Sequence, residues 1–411
     1  MNRWTGGIFL LPLAALNVYV LCAFGAPWPG QWMWTIDSVT GGTVLTAPLT
    51  AAFAAWIALG QTRMAELTDS TLRGRLVLLL SAQRAWLWSA ALYLTAAVGA
   101  ALVTLAVPHG GPAPWWAALI GPLVLAVGAL LGVLAIRLWQ HPMAAVLVGP
   151  TVFVFGAFGP HPYAALLRPG PTTGSLAGLV YDPRTWAVQM ILLILICLAL
   201  AFGVLVRTPL SWSGVLLGGV SVTVVIFGAT LGSTHHQRFE ASGERPDACV
   251  GTAPRICLSP SERRALSATA TTMRTGIEEL REIGVDLPTR YEELLPGYRP
   301  PVTAGMIDAV EGDARLRLGT GLRNVATPAA CPAWTDPRQA PPDGAFDGRD
   351  LIVDWLLVRT GHDPVASEPE ARRWLAEADG EAATSWVSAT FGQLRSCAFD
   401  RISLPWTQPT R

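Results

Sequence analysis

Apolar residues dominate the first 232 positions of the chain and are interrupted only by short polar segments. A helix needs about 20 mostly apolar residues to cross roughly 30 Å of hydrocarbon, because each residue advances about 1.5 Å. Seven stretches approach or meet that length, and they cover residues 8–25, 39–60, 85–107, 115–137, 143–159, 186–206 and 212–232. The pattern predicts an all-α transmembrane domain over residues 1–232 with about seven spans.

Two of these stretches have alternative interpretations. Residues 8–25 follow Arg3 and could form a signal peptide, but their length and the lack of a clean small-x-small cleavage site favour an uncleaved span. Residues 143–159 are short and contain Pro150, so this span can be tilted, broken or partly re-entrant. Tryptophans near many of the predicted ends support the boundaries, because an indole ring prefers the headgroup layer.

After residue 232, apolar residues are mixed with polar ones, and several stretches repeat them at helical spacing. Ser259, Pro260 and Glu262 form a helix-start signal with a capping box, and Gly284 supplies the stop. Apolar residues at helical spacing predict three further helices, at residues 346–360, 369–378 and 381–398. The pattern predicts a mainly helical domain.

The remaining segments of this second domain, residues 233–411, are less regular. Residues 306–325 fit either a helix or a small hairpin, and residues 291–295 fit one short helical turn within a proline-rich passage. Residues 328–348 are rich in Pro, Asp and Gly and are typical of a loop.

The composition supports a membrane protein, since 51% of the 411 residues are hydrophobic and only 14% are charged. All 29 basic residues are arginine. A Walker A loop needs a lysine to reach its phosphates, and a Schiff-base enzyme needs one as nucleophile. The chain therefore excludes both activities, and it contains neither an HExxH nor a GxSxG motif of a hydrolase.

Arginine positions predict the orientation, because positive residues in short loops stay on the cytoplasmic side. With the N-terminus inside, the inner segments hold seven arginines and the outer segments hold Arg168 and Arg184. Seven spans then place residues 233–411 outside a bacterial plasma membrane. Acidic residues outnumber basic ones there, which argues against nucleic acid or anionic lipid as a partner of that domain.

Cysteine positions agree with an extracytoplasmic domain. Cys22 and Cys197 lie in predicted spans, whereas four cysteines follow residue 232. An even number in an oxidising compartment predicts two disulfides, and of three connectivities we favour Cys249 with Cys257 and Cys331 with Cys397. No CxxC or HxxxH spacing accompanies these cysteines, so we expect no metal site.

The interiors of the predicted spans contain no Asp, Glu, Lys or Arg, and ion-coupled transport needs such groups inside the bilayer. If the chain transports a substrate, its energy is expected from a separately encoded ATPase. The predicted inner loop, residues 61–84, is the segment on which an ATPase could dock. Its apolar residues recur at roughly helical spacing, and its candidate coupling residues are Arg63, Glu66, Arg73 and Arg75. A solvated, positively charged retention loop explains the same residues.

GxxxG spacing occurs three times in the predicted spans, and such pairs allow close approach of helices within the chain or across a dimer. The pairs are Gly128 with Gly132, Gly214 with Gly218, and Gly228 with Gly232. Internal packing is the simpler interpretation in a chain with 40 glycines.

The order of these parts resembles the permease fold of type-2 ABC exporters. In that fold a coupling helix lies between the second and third spans, where this chain has residues 63–84, and re-entrant helices lie between the fifth and sixth. Residues 158–184, with Gly159-Pro160-His161-Pro162 and Pro169-Gly170-Pro171, occupy the second place. The predicted seventh span departs from the six-span core.

The C-terminal half is similar to the outer domains of actinobacterial permease-like proteins. The resemblance lies in Cys249 and Cys257, Leu258-Ser259-Pro260, Leu287-Pro288, and Trp386 followed by Cys397. It implies a permease subunit, acting as a homodimer or heterodimer in membrane lipid, that exports an amphipathic substrate with a separate ABC ATPase. It implies no cofactor. The alternative is a non-transporting membrane protein that binds, senses or scaffolds through its outer domain.

Overall fold

A computed structural model describes residues 3–23, 29–62, 72–158, 176–205, 238–310, 314–335, 343–366, 368–377 and 380–406. The described chain is mostly helical and divides into two compact units. The N-terminal unit comprises Met1–Pro108, Pro112–Leu176 and Val180–Glu240. The C-terminal unit comprises Ala241–Arg411 together with His109–Gly111 and Ala177–Leu179.

Apolar helices build the described part of the N-terminal unit. They are α1 (Arg3–Ala23), α2 (Trp32–Gly41), α3 (Thr43–Thr62), α4 (Leu72–Ala106), α5 (Ile120–Leu138), α6 (Pro142–Phe158) and α7 (Pro183–Leu205). A 3-10 turn, Trp115–Leu119, leads into α5. Two short strands, β1 (Leu179–Tyr181) and β2 (Phe239–Ala241), pair with each other.

Four helical segments of the described chain are long and apolar enough to cross a membrane. They are Trp32–Gln61, Leu76–Ala106, Trp115–Leu138 and Pro183–Leu205. Two apolar helices at Phe9–Cys22 and Pro142–Phe158 are shorter. These six correspond to the first six predicted stretches, and the seventh, residues 212–232, lies outside the described residues.

Two of the long segments begin earlier than the sequence predicts. The segment Trp32–Gln61 includes Asp37, and Leu76–Ala106 includes Arg84. The prediction that the spans lack ionisable residues is therefore wrong for these longer segments. The predicted spans were bounded at charged residues because those residues end an apolar run. A helix can include such residues, since its backbone hydrogen bonds do not depend on hydropathy.

Small side chains fill the contact between α3 and α5. Ala51, Ala54, Ala55 and Ala58 of α3 are fully buried, and Val133 of α5 is buried among them. Association of helices in lipid depends on close van der Waals contact, since lipid chains are as apolar as leucine. Small residues allow that contact by bringing the backbones together.

The C-terminal unit contains a four-stranded sheet in the order β3 (Ala248–Val250), β4 (Arg255–Leu258), β5 (Arg290–Glu293) and β6 (Gly305–Ile307). Strand β3 is antiparallel to β4, and the other two pairs are parallel. The sequence predicted a mainly helical domain here, inside a fold called all-α, and it did not predict this sheet.

Strand β5 also replaces the helical turn predicted at residues 291–295. Tyr291 pairs with Ile256 on one side and with Gly305 on the other, so β5 is the parallel partner of two strands. The segment forms hydrogen bonds with distant strands, and such long-range pairing is not encoded in local periodicity. A side chain at Gly305 would lie 2.2 Å from the Tyr291 ring, which explains the glycine there.

Helices cover the sheet of the C-terminal unit. The described helices are α8 (Leu266–Glu282), α9 (Ala314–Val325), α10 (Pro332–Thr335), α11 (Asp343–Arg359), α12 (Pro369–Leu375) and α13 (Glu381–Arg395). Helices α11 to α13 confirm the three predicted at the C-terminal end. The ambiguous residues 306–325 divide into the end of β6 and helix α9.

The helix predicted after Ser259 is present, but it starts differently. A 3-10 turn, Pro260–Ala265, precedes α8, and the Ser259 side chain makes no capping hydrogen bond. The Ser259 hydroxyl instead lies 2.9 Å from that of Ser261, so the predicted capping box is wrong. Gly284 ends the helix as predicted, with φ of +75°, and Val285 N–H donates to the Leu280 carbonyl.

Large side chains form the core of the C-terminal unit. Trp355, Tyr291, Phe391, Met273 and Leu356 are almost completely buried, and they come from the sheet and from three helices. Burying such side chains contributes about 1.5–3 kcal/mol each. This unit therefore has a hydrophobic core of its own.

Candidate functional site

Part of the predicted inner loop, residues 61–84, belongs to the same helix as the apolar segment that follows it. Residues 72–84 are the first part of the 35-residue helix α4, whereas residues 63–71 lie outside the described residues. Arg73 and Arg75 therefore lie in the first turn of α4, and Arg63 and Glu66 have no described position. For residues 72–84, the prediction of a separate helix lying at the membrane surface is wrong.

The length of α4 exceeds what a bilayer requires. Its 35 residues extend over about 52 Å, compared with about 30 Å of hydrocarbon. The residues after Arg84 are alone long enough to cross, so residues 72–84 add about 20 Å of helix to what a crossing requires. Leu76 and Leu80 are about half exposed on this extension, one turn apart, and Arg84 follows at the next turn.

Both predicted disulfides are present in the C-terminal unit. Cys249 and Cys257 face each other across the antiparallel strands β3 and β4, with Cα atoms 4.1 Å apart. Cys331 precedes α10, and Cys397 follows α13. The disulfide between them joins residues that are 66 positions apart in the sequence. Cys22 and Cys197 are free thiols.

One predicted glycine pair lies at a helix contact within the chain. A Cβ atom at Gly128 would lie 2.7 Å from the Ala47 carbonyl oxygen, and one at Gly132 would lie 2.1 Å from that of Ala51. Any side chain at Gly132 would force α5 away from α3. The pairs Gly214 with Gly218 and Gly228 with Gly232 lie outside the described residues.

A buried carboxyl group lies near one end of the N-terminal unit. Asp37 of α2 is 0% exposed, and its Oδ1 accepts a hydrogen bond from the Tyr181 hydroxyl at 3.1 Å. Tyr181 ends strand β1, where Asp182 N–H donates to the Arg238 carbonyl at 2.9 Å. Residues from three distant parts of the chain therefore meet at Tyr181.

A narrow polar crevice adjoins this hydrogen bond. It is lined by Thr40, Ala117, Ile120, Tyr181, Thr185, Trp186, Gln189 and Arg238. The empty space between these residues is about 290 Å³, part of it open to the surroundings. Arg238 is the charged residue of the lining, and Asp37 is not part of it.

Tyr181 is held in its protonated state. Burial and then the negative charge of Asp37 raise the pKa of Tyr181 well above its usual value, although the Arg238 charge opposes this. The hydroxyl therefore remains a donor to Asp37. Beside it, the Thr185 hydroxyl donates to Asp182 Oδ2 at 2.6 Å, which lowers the pKa of Asp182.

Aromatic rings surround the crevice. Trp116 lies edge-on to Trp186 at 4.9 Å and to Tyr181 at 6.3 Å, and Trp32 lies edge-on to Trp115 at 5.3 Å. These tryptophans are at the ends of spans, where indole rings prefer the headgroup layer. Aromatic rings in this position are typical of helix ends at the headgroup layer.

Sequence reasoning missed this crevice for identifiable reasons. Asp37 precedes the predicted start of its span by two residues, and Tyr181 is 144 residues further along the chain. Pairing of β1 with β2 brings Arg238 close to Tyr181, and no local pattern predicts it. One available signal was Asp37 itself, an acidic residue within one turn of a long apolar run and flanked by tryptophans.

A second polar cluster lies in the C-terminal unit. Glu293 of β5 is 4% exposed, and its carboxylate accepts a hydrogen bond from Ser259 N–H at 2.6 Å. Burial raises the pKa of Glu293 to about 7, with smaller contributions from the charges of Asp308 and Glu244. Glu244 in turn accepts a hydrogen bond from the Ser261 hydroxyl at 2.8 Å. Among the described residues, no group of three His, Cys, Asp or Glu side chains is arranged to hold a metal ion.

Comparison with protein-family models, with curated proteins and with solved structures finds no match to this chain. Function must therefore be argued from the geometry of the helices, the crevice and the C-terminal unit.

Proposed function

We propose that this chain is a permease subunit of an ABC-type exporter, which moves an amphipathic substrate with energy from a separate ATPase subunit. The observation that carries the proposal is the extension of α4. A continuous helix about 20 Å longer than the bilayer requires can transmit a push on its exposed end directly to the membrane-crossing part. A separate surface helix would need a flexible connection to do so.

The chemistry of the extension suits a protein partner. Its arginines lie at the start of the helix, and positive residues of short loops are retained in the cytoplasm, where an ATPase operates. The exposed Leu76 and Leu80 provide apolar contact area on the same extension. Asp37 lies near one end of its span and is hydrogen-bonded to Tyr181, so it does not supply the mid-membrane relay of an ion-coupled carrier.

The test is charge reversal in the extension. Arg73→Glu with Arg75→Glu is expected to abolish co-purification of the ATPase with the full chain in mild detergent, because the docking charge changes sign. The matched control is Arg263→Glu with Arg373→Glu, which reverses two exposed arginines of the C-terminal unit. ATPase recovery that is equal for all three proteins would exclude docking at this end of α4.

A second candidate is a non-transporting protein that binds a peptide, a wall component or another protein through the C-terminal unit. The observation in its favour is that this unit has its own core and two disulfides. Affinity purification of the full chain from its native host, followed by mass spectrometry, separates the candidates. A stoichiometric ATPase supports the exporter, and recovery of envelope proteins without an ATPase supports the binding protein.

A further inference from the structure

Buried polar side chains join α4 to the helical segment Trp32–Gln61, which comprises α2 and α3. The hydrogen bonds between them join Thr35 to Thr104 at 2.7 Å, Thr50 to Ser89 at 2.9 Å, and Ser81 to Gln61 at 2.6 Å. The hydroxyl-bearing residues of these three pairs are at most 2% exposed. Because buried hydroxyls need partners within the protein, the pairs are part of the contact between the helices.

The pairs follow the register of two antiparallel helices. Thr35 and Thr50 are separated by as many residues as their two partners on α4, and the order of the partners is reversed. About four helical turns, or roughly 22 Å, separate these two pairs. The third pair includes Ser81, which lies within residues 72–84, the part of α4 that exceeds a crossing. Hydrogen bonds therefore connect α4 to both ends and to the middle of the segment Trp32–Gln61.

Small apolar side chains pack between α3 and α4 near the third pair. Ala54 and Ala58 of α3 and Ala82 and Ala85 of α4 belong to one buried cluster, and all are at most 3% exposed. A slide of α4 by one turn, about 5.4 Å, would break the three hydrogen bonds together, since polar atoms 3.6 Å apart are no longer hydrogen-bonded. A displacement of α4 that keeps these contacts must therefore take α2 and α3 with it.

We infer that Thr35, Thr50 and Gln61 are positioning residues that make α2 and α3 follow a displacement of α4. Their role in transport rests on the proposed exporter function, in which an ATPase moves the arginine end of α4. A push at that end reaches α3 first at Gln61, the partner of Ser81, and reaches α2 at Thr35. The backbone contact between α3 and α5 at Gly132 extends the moving body to α5.

The first experiment tests the pairing in the full chain purified without an ATPase. Thr50→Val keeps the shape of the side chain and removes its hydroxyl, and Ser89→Ala removes the partner. We expect either change to speed hydrogen exchange of α3 and α4 about threefold, because one hydrogen bond between helices in lipid contributes about that factor. The double variant should show the same increase, since both changes remove one hydrogen bond.

Thr95→Val is the matched control for the loss of a threonine hydroxyl from this pair of helices. Thr95 is an exposed residue of α4, and its hydroxyl donates to the Ala91 carbonyl of the same helix at 2.8 Å. The control should exchange like the wild type. An increase of about ninefold in the double variant, the product of two independent effects, would overturn the pairing. An effect of Thr95→Val equal to that of Thr50→Val would do the same.

The second experiment tests whether α3 follows α4 in the complex of the full chain with its ATPase. Hydrogen exchange is compared with and without ATP. The triple variant Thr35→Val, Thr50→Val and Gln61→Leu removes the polar partners from α2 and α3 and leaves α4, with its docking arginines, unchanged. In the wild type, ATP should change exchange in both α3 and α4. The triple variant should recover as much ATPase as the wild type and keep the change in α4, but lose at least half of the change in α3.

A purely structural role would alter α3 equally with and without ATP. An ATP-dependent change in α3 that the triple variant retains in full would overturn the inference, and so would a change confined to α4 in the wild type. If no ATPase is recovered with the wild type, the proposed function fails and the transport role fails with it, whereas Thr50→Val and Ser89→Ala still decide the pairing.

Variants are compared only where both disulfides form and the protein elutes as a single species in size exclusion. Where the triple variant does not meet this standard, Thr35→Val with Thr50→Val replaces it, and the same outcomes support or overturn the inference.

Discussion

The two units of this chain are held together by different means. In the N-terminal unit, alanines and glycines bring α3 and α5 into backbone contact, as at Gly132 and Ala51. In the C-terminal unit, large side chains such as Trp355 fill a core that two disulfides and a parallel sheet ladder reinforce. Water and lipid explain the difference. Water drives apolar side chains together, whereas lipid does not, so helices in lipid associate through close packing.

The long disulfide tests this difference with the largest expected effect. Replacing Cys331 and Cys397 by serine opens a loop of 66 residues and should lower the free energy of unfolding of the C-terminal unit by about 4 kcal/mol, because the unfolded chain gains entropy. The same change at Cys249 and Cys257, which close a loop of 8 residues, should cost about 2.5 kcal/mol.

Hydrogen exchange of the full chain in detergent, followed peptide by peptide, measures both effects within each unit. Cys22→Ser is the control, since Cys22 is a free thiol of α1. Opening the long disulfide should increase hydrogen exchange in the C-terminal unit. A larger increase in α3 and α5 would contradict the claim that the two units are held together by different means.

A single methyl group tests the close helix contact of the N-terminal unit. Gly132→Ala places a Cβ atom 2.1 Å from the Ala51 carbonyl oxygen, so α3 and α5 must separate. We expect a loss of about 3 kcal/mol in stability, as for overpacked cores, seen as faster exchange in both helices. Gly99→Ala on α4 is the matched control, because no atom lies within 4 Å of its added Cβ. Equal exchange in the two variants would contradict the close contact.

The smallest expected effect is the pH dependence that Glu293 gives to the C-terminal unit. The pKa of this carboxyl is about 7 in the folded chain, compared with 4.5 as its ordinary value. Between these values the folded state binds more protons than the unfolded state, so stability falls as pH rises. From pH 5 to pH 8 the loss from this group is about 2 kcal/mol.

Glu293→Gln removes the titrating group and keeps a carbonyl oxygen for the Ser259 N–H. The variant should therefore lose less stability than the wild type between pH 5 and pH 8, measured by urea unfolding at each pH. The exposed Glu370→Gln is the control and should follow the wild type. Parallel pH profiles for all three proteins would rule out Glu293 as the source.

Local sequence signals were enough to predict most of the described helices. The helix that ends at Gly284 and the helices of the last 70 residues follow from apolar spacing, turn residues and proline, because these act within a few positions. The cysteine positions predicted two disulfides with three possible connectivities, and the structure has the favoured one. Strand β5 did not follow from the sequence, since its partners β4 and β6 lie more than ten residues away on either side.

The sequence by itself determined that the chain has apolar helices long enough to cross a membrane, that lysine-dependent chemistry is absent, and which cysteines could pair. These properties depend on residue type and short-range spacing, which a single chain displays directly. Only the tertiary structure decided that α4 is one continuous helix of 35 residues, that Gly132 meets Ala51, and that Asp37, Tyr181 and Arg238 converge. Those features depend on contacts between residues up to 144 positions apart, and packing alone brings such residues together.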